Sequence, residues 1–124
     1  MKAKKKRNVT PRRKTTLAAA AAAAKKALNP VILKIDKLTS VADYFFICSA
    51  ANERQVKAIA EEIDASLSRA GCDQLRMEGR IRWRWVVLDY GDVLIHIFLD
   101  ELRQLYSLEK LWGDAPKIIP KEKS

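Results

Sequence analysis

The segment from residue 85 to residue 114 constrains the fold most strongly, because it contains two strand-like runs joined by a tight turn. The run from Trp85 to Asp89 is apolar and β-branched, and the run from Val93 to Phe98 is again strand-like. The intervening Tyr90-Gly91-Asp92 supplies residue types that tolerate the dihedral angles of tight turns. The pattern predicts a β-hairpin. Because the segment also carries two tryptophans, paired aspartates and the only histidine, we expect function to be located here.

Two strands and a long helix are predicted before the hairpin. Residues 31–35 form a short β-rich run, and the continuous apolar run at 42–49 is typical of a central strand covered on both faces. Asn52 with Gln55 indicates a capped helix start, and Gly71 stands where that helix should end. A short strand near residues 74–77 and short C-terminal helices complete the pattern. We therefore expect an α/β (α+β) fold with a small mixed β-sheet and packed helices.

The basic charge of the chain is concentrated at its N terminus. The formal net charge is +9, yet residues 1–29 contain ten basic residues and no acidic one, whereas the remainder has 14 basic against 15 acidic residues. We predict a basic, Ala-rich N-terminal tail at 1–29, disordered or partly helical. Thr15 or Thr16 would cap its helix and Asn29-Pro30 would end it. The folded domain is expected at 30–116, followed by a basic C-terminal tail at 117–124.

Cysteine usage and hydropathy favour a cytoplasmic protein. Cys48 and Cys72 have no CxxC or His-rich context, which favours reduced thiols over metal ligands. No apolar run reaches the ~18 residues that a bilayer-spanning helix needs, so we expect no membrane association. No glycine-rich phosphate-binding motif is present either. We predict no cofactor and no metal.

The polar residues of the hairpin have both a chemical and a structural interpretation. Asp89 and Asp92 could together hold a divalent metal, as in phosphoryl-transfer sites, but aspartate and glycine are also the preferred residues of hairpin turns. His96 lies on the strand face shared with Leu94 and Phe98, where a packed histidine is the usual finding. No nucleophile or base can be paired with it, so we predict no catalytic residues.

Surface recognition is the interpretation that remains. Trp85, Val87 and Asp89 share one strand face, so Trp85 should point outward if the opposite face is core. Tryptophan, tyrosine and arginine are the residue types that most often anchor protein interfaces. We therefore predict an interface role for Trp85 and packing for Trp112.

Four ordered blocks of the sequence resemble the ribosome silencing factors, also called the Iojap-like family. The resemblance covers residues 31–115 and rests on ADYFFICSAANERQVKAIAEEI, EG at 78–79, WVVLDYGDVLIHIF and LYSLEKLWGDA. It implies a nucleotidyltransferase-like fold that lacks the catalytic residues. It also implies a non-enzymatic role: binding the large ribosomal subunit at its protein L-fourteen, blocking association with the small subunit, and lowering translation when nutrients are scarce.

The resemblance also suggests which residues make contacts. The partner-binding motif would comprise Trp85, Asp89, Tyr90, Gly91 and Asp92. Packing or dimer contacts would come from His96, Phe98, Tyr106, Leu108, Glu109 and Trp112. A homodimer and a contact of the basic tail with ribosomal RNA are further expectations.

The chain departs from the family pattern in two places. Ala50 and Asn52 replace the usual Gly and Ser, which puts in doubt a positive-φ turn at residue 50, and the family does not explain the long basic tail. Two alternative functions stay open: a minimal metal-dependent nucleotidyltransferase using Asp89 and Asp92, and an RNA-binding protein that acts through its tail.

Overall fold

The computed structural model describes residues 9–120 as four helices and six strands. The elements are α1 (Pro11–Ala24), β1 (Leu28–Lys34), β2 (Tyr44–Ala50), α2 (Glu53–Arg69), β3 (Arg76–Glu78), β4 (Trp85–Asp89), β5 (Val93–Leu99), α3 (Asp100–Tyr106), α4 (Leu108–Leu111) and β6 (Lys117–Ile118). Within this part of the chain, no helix combines the length and the apolar character needed to cross a membrane.

The strands form one mixed sheet in the order β3-β4-β5-β2-β1-β6. β2 and β5 pair in parallel, and every other neighbouring pair is antiparallel. The predicted mixed sheet with packed helices is therefore confirmed. β2 lies inside the sheet and every one of its residues is buried, as its continuous apolar run predicts.

Helices cover both faces of the sheet, so the domain has two apolar cores. On the first face, Phe46, Ile95 and their neighbours pack beneath α1 and α2. On the second face, Phe45 and Phe98 pack beneath α3, α4 and the segment that leads to β6. Alternation along each strand assigns consecutive side chains to opposite cores.

The hairpin forms as predicted, with β4 and β5 paired antiparallel around the turn. Gly91 has φ +88°, a conformation that side chains disfavour, and its N–H donates to Asp89 Oδ1 at 2.8 Å. The Tyr90 N–H donates to the Val93 carbonyl oxygen at 3.0 Å. Asp89 therefore acts here as a turn-forming residue.

The predicted cap of α2 is also present. Asn52 Oδ1 accepts the N–H of Gln55 at 2.9 Å, and Gly71 follows the last turn with φ +93°. Gln55 also connects α2 to the segment that follows α1. Its Nε2 donates to the carbonyl oxygens of Lys25 and Lys26. Ala50 is the last residue of β2 and has an extended backbone. Residue 50 therefore does not form the positive-φ turn that the family pattern suggests at this position.

The Ala-rich segment differs from its interpretation as a tail, because α1 is part of the folded body. Ala18 and Ala22 are fully buried against the first core, where their small side chains let α1 approach α2 closely. Thr10, rather than Thr15 or Thr16, caps the helix by accepting the N–H of Arg13 at 3.1 Å. The sequence prediction did not identify the helix start at Thr10, although Pro11 in the first turn is a strong signal for a helix start there.

Two further boundaries differ from the sequence prediction. The helix ends at Ala24, and Asn29 and Pro30 belong to β1 instead of ending the helix. At the other end, β6 pairs with β1, so part of the predicted C-terminal tail extends the sheet. Residues 1–8 and 121–124 of the predicted tails lie outside the described residues.

Side-chain contacts attach α1 and α2 to the hairpin turn. Lys14 Nζ lies 2.7 Å from Asp92 Oδ1 and also donates to the carbonyl oxygen of Tyr90. The buried Tyr90 hydroxyl donates to Asp64 Oδ1 at 2.7 Å. Burial and this hydrogen bond raise the pKa of Tyr90 above its usual range, so the phenol stays a donor.

If α1 belongs to the core, a charge on its inner face should destabilise the whole protein. We expect Ala18→Asp to lower the free energy of unfolding by about 3 kcal/mol or more, because the carboxylate would be buried without a partner. Ala20 lies on the exposed side of the same helix and is the matched control. Ala20→Asp should cost less than about 1 kcal/mol. Equal urea midpoints for the two variants would contradict the packing of α1.

Candidate functional site

Three packed aromatic rings, which we call the aromatic stack, lie on the second sheet face. The Trp85 indole lies 4.8 Å from the Phe98 ring and 4.7 Å from the Tyr106 ring, measured between centroids. Phe98 is fully buried, Trp85 is half-buried and Tyr106 is half exposed. The stack therefore runs from the core outward to solvent, and it brings together two strands and the end of α3.

His96 supports this stack from within the core. Trp85 Nε1 donates to His96 Nδ1 at 3.3 Å. Because indole is only a donor, Nδ1 must be the acceptor, which assigns the imidazole proton to Nε2. Nε2 is the one buried side-chain polar atom without a hydrogen-bond partner in the described part of the chain. Burial lowers the pKa of His96 to about 4, so the ring is neutral at physiological pH.

Phe45 links His96 to the C-terminal segment. Its ring meets the His96 ring edge-on at 4.8 Å and the Trp112 ring at 5.4 Å. Trp112 is exposed on one side, and it packs with Leu108 against the second core. These contacts place Trp112 mainly in a packing role.

Beside the stack, α3 and α4 expose large apolar side chains. Leu105 is 72% exposed, Leu111 is 73% exposed and Tyr106 is 50% exposed. The exposure of Leu105 follows from which face of α3 is turned inward, and that face carries an arginine that the apolar pattern does not reveal.

This arginine, Arg103, is the polar residue of the second face that sequence reasoning missed. Its buried guanidinium donates to the Asn29 carbonyl oxygen at 2.6 Å and to Ser49 Oγ at 2.9 Å. It also donates to Glu109 Oε2 at 2.6 Å. Burial would raise the pKa of Glu109, but the hydrogen bond and the charge of Arg103 outweigh it and hold that pKa below its usual value.

The turn residues of the predicted motif lie at the other end of β4. Trp85 and Asp89 are the two ends of this strand, roughly 13 Å apart at 3.3 Å per residue. Tyr90 is buried, and Asp92 is paired with Lys14. The structure therefore separates the predicted motif into an aromatic end, an exposed turn at Gly91, and a buried tyrosine.

The two aspartates of the hairpin do not converge on a common point. Asp89 Oδ1 accepts the N–H of Gly91, whereas Asp92 binds Lys14 on the other side of the turn. Within residues 9–120, no group of three or more His, Cys, Asp or Glu is arranged to hold a metal ion. Cys48 is fully buried, and this burial raises the pKa of its thiol to about 12.

The buried imidazole makes stability depend on pH. The pKa of His96 falls from 6.5 in the unfolded chain to about 4 in the fold, so the unfolded state binds more protons between these values. Stability is therefore complete above pH 6.5 and declines on acidification. We expect the free energy of unfolding to fall by about 2 kcal/mol between about pH 7.5 and pH 5.

Urea unfolding at the two pH values measures this effect, and His96→Phe is the control because the chain has no other histidine. The phenylalanine variant keeps an aromatic ring but does not titrate. Its free energy of unfolding should change much less over the same pH range. An identical pH dependence in both proteins would contradict a neutral, buried His96.

Comparison with known proteins agrees with the fold and with the sequence blocks. The sequence model of the family "Ribosomal silencing factor during starvation" matches residues 8–124. The ribosomal silencing factor RsfS of Bacillus subtilis is 45% identical over 92 residues, which cover 74% of this chain and 78% of that protein.

A crystal structure of a protein from Chromobacterium violaceum matches with a TM-score of 0.82 and 34% identity, and it covers 84% of this chain and 87% of that one. A more distant relative from Mus musculus is named "Mitochondrial assembly of ribosomal large subunit protein 1". It is 29% identical over 84 residues, which cover 65% of this chain and 37% of that protein. Since the family model matches nearly the whole chain, the chain belongs to the ribosomal silencing factor family.

Proposed function

We propose that this protein binds the large ribosomal subunit at protein L-fourteen, prevents the small subunit from joining, and so represses translation when nutrients are limited. The role is steric, needs no catalysis and is carried out in the cytoplasm. Membership of the ribosomal silencing factor family supports it. The name of the mouse relative, which refers to the large subunit, supports the choice of subunit.

The observation that carries this proposal is the exposed apolar surface next to the aromatic stack. We define the docking surface as Trp85, Leu105, Tyr106 and Leu111. Contiguous apolar and aromatic side chains on the outside of a small domain commonly mark an interaction site. Since the Trp85 and Tyr106 rings already pack against each other, they would lose little conformational freedom on binding.

Arg103 and Glu109 hold the docking surface in place. Their hydrogen bonds fix α3 to the ends of β1 and β2, and fix α4 to α3. Both helices are short, with seven and four residues, and would be unstable alone. The buried ion pair therefore gives these two helices a defined position from which Leu105 and Leu111 can make contact.

The hairpin turn falls within the same footprint. A typical stable interface covers about 800 Å² on each partner, a patch roughly 30 Å across. Asp89 lies roughly 13 Å from Trp85 along β4 and on the same strand face, so one partner can contact the docking surface together with Asp89 and Gly91. Tyr90 and Asp92, which bond to α2 and α1 on the first face, would contribute indirectly by positioning this turn.

The size of the folded body fits a steric mechanism. A domain of about 100 residues has a radius of gyration of about 13 Å. The two ribosomal subunits can join only if the atoms of their facing surfaces approach within hydrogen-bonding or van der Waals distance. A body roughly 30 Å across, seated between the two subunits, prevents that approach without any chemical reaction.

Shortening the two exposed leucines should weaken binding while leaving the fold intact. We expect the double variant Leu105→Ala and Leu111→Ala to bind isolated large subunits about 30-fold more weakly, which corresponds to about 2 kcal/mol. Cosedimentation at several protein concentrations measures the dissociation constant. Unfolding midpoints should stay near the wild-type value, because both side chains are mostly exposed.

Ile119 provides a matched control for this experiment. It is 65% exposed and follows β6, the edge strand that lies farthest from β4 in the sheet. Ile119→Ala removes an exposed apolar group outside both the docking surface and the hairpin turn. It should bind large subunits within about twofold of the wild type. Similar affinities for the control and the double variant would refute the assignment of the docking surface.

A further inference from the structure

The connection between β3 and β4 is a rigid loop that exposes three arginines. We name the segment Gly79–Arg84, with the sequence GRIRWR, the arginine loop. Gly79 has φ +92°, and a Cβ there would lie 2.0 Å from the Trp85 carbonyl oxygen, so no other residue fits without rearrangement. The Trp83 N–H donates to the Gly79 carbonyl oxygen at 3.1 Å and closes the loop.

Trp83 anchors the loop to the domain. Its side chain packs against the first core, and its backbone is held at φ +56°, a conformation that bulky residues rarely adopt. Such backbone strain persists only where the surrounding contacts fix the conformation. The loop therefore presents its remaining side chains from a fixed base, and Ile81 is 92% exposed.

Within residues 9–120, the charges of the arginine loop are not neutralised by ion pairs. In the described part of the chain, no carboxylate forms an ion pair with Arg80, Arg82 or Arg84, and all three are exposed. Arg76 on β3 differs, because it pairs with Glu78 and Asp89. The exposed Lys57 of α2 adds a fourth cation, with Nζ 5.7 Å from the Trp83 ring.

The arginine loop lies next to the docking surface. Arg84 directly precedes Trp85, and its carbonyl oxygen accepts the N–H of Leu99 at 2.8 Å. The loop thus lies at the same end of β4 as Trp85 and Tyr106. A partner that covers the docking surface brings its own flanking surface next to the arginine loop.

We propose that the arginine loop binds phosphate groups of an RNA backbone that flanks the protein contact, an inference that rests on the proposed function. Guanidinium groups form bidentate hydrogen bonds with phosphate, and three arginines without a carboxylate partner in the described residues, with Lys57 nearby, match a run of phosphates. With the loop included, the part of the chain from residue 30 onward is close to neutral, with 14 basic and 15 acidic residues. The loop is therefore a local positive site and not part of a uniformly basic surface.

A labelled 20-base-pair RNA duplex tests the loop directly with the full-length protein. The triple variant Arg80→Gln, Arg82→Gln and Arg84→Gln should bind the duplex at least about tenfold more weakly by fluorescence anisotropy. The matched control removes three exposed cations of the N-terminal part, as Arg12→Gln, Arg13→Gln and Lys25→Gln. It should retain affinity within about threefold.

Either of two results would overturn the inference. One is an unchanged duplex affinity in the loop variant, and the other is an equal loss in both triple variants, which would assign binding to overall charge. Competition with polyglutamate tests whether the loop binds RNA in preference to an acidic protein. Displacement of the duplex by an equal charge concentration of polyglutamate would also overturn an RNA preference.

Isolated large subunits provide a second readout that distinguishes the loop from the docking surface. The slope of log affinity against log salt concentration should become shallower by about 2 to 3 in the loop variant, as expected for three lost phosphate contacts. The leucine double variant should lose affinity without a change of slope. If the wild type does not bind large subunits, the proposed function fails, while the duplex experiment still decides the role of the loop. Equal salt slopes for the wild type and the loop variant would refute the ribosomal contact.

Discussion

The buried guanidinium of Arg103 determines how the functional face is arranged. It bonds to the carbonyl oxygen of Asn29, to Ser49 and to Glu109, and so joins β1, β2, α3 and α4 at one point. A buried charge is costly unless every partner is in place, which makes this arrangement specific. The two short helices depend on it because neither is long enough to be stable alone. The packing of Tyr106 against Trp85, and the exposure of the neighbouring leucines, follow from that position.

The features with a short-range signal could be predicted from sequence. Residue type and alternation identified the hairpin, the fully buried β2, the Asn52 cap of α2, and the common face of His96 and Phe98. Each of these depends on neighbours within a few positions along the chain. The glycine at position 79, which the family resemblance also singles out, now has a physical reason in the close approach of the Trp85 carbonyl oxygen.

The features that sequence reasoning missed depend on distant contacts. An Ala-rich, weakly amphipathic segment gives little indication that Ala18 and Ala22 meet α2, because the signal is small size and not hydrophobicity. Arg103 is of a residue type usually found exposed, and its partners lie up to 75 positions away along the chain. The separation of Trp85 from the hairpin turn was likewise hidden, because Trp85 begins the extended strand β4 and the turn follows the other end of that strand.

The two surfaces have complementary physical roles in the proposed complex. Apolar burial at the docking surface supplies affinity that depends little on salt, whereas the arginine loop adds an electrostatic term that salt weakens. The docking surface selects the site, and the loop speeds and orients the encounter with an RNA-rich particle. Both elements lie at one end of β4, so a single orientation can satisfy them together.

A subunit-joining assay measures whether occupation of the large subunit by this protein prevents joining. Purified small and large subunits are mixed with increasing amounts of this protein at magnesium concentrations that favour joining, and the joined fraction is measured by sedimentation. We expect the joined fraction to fall with added wild-type protein, and the double variant Leu105→Ala and Leu111→Ala to need a concentration about 30-fold higher for the same effect. An unchanged joined fraction at protein concentrations that saturate the large subunit would refute the steric mechanism.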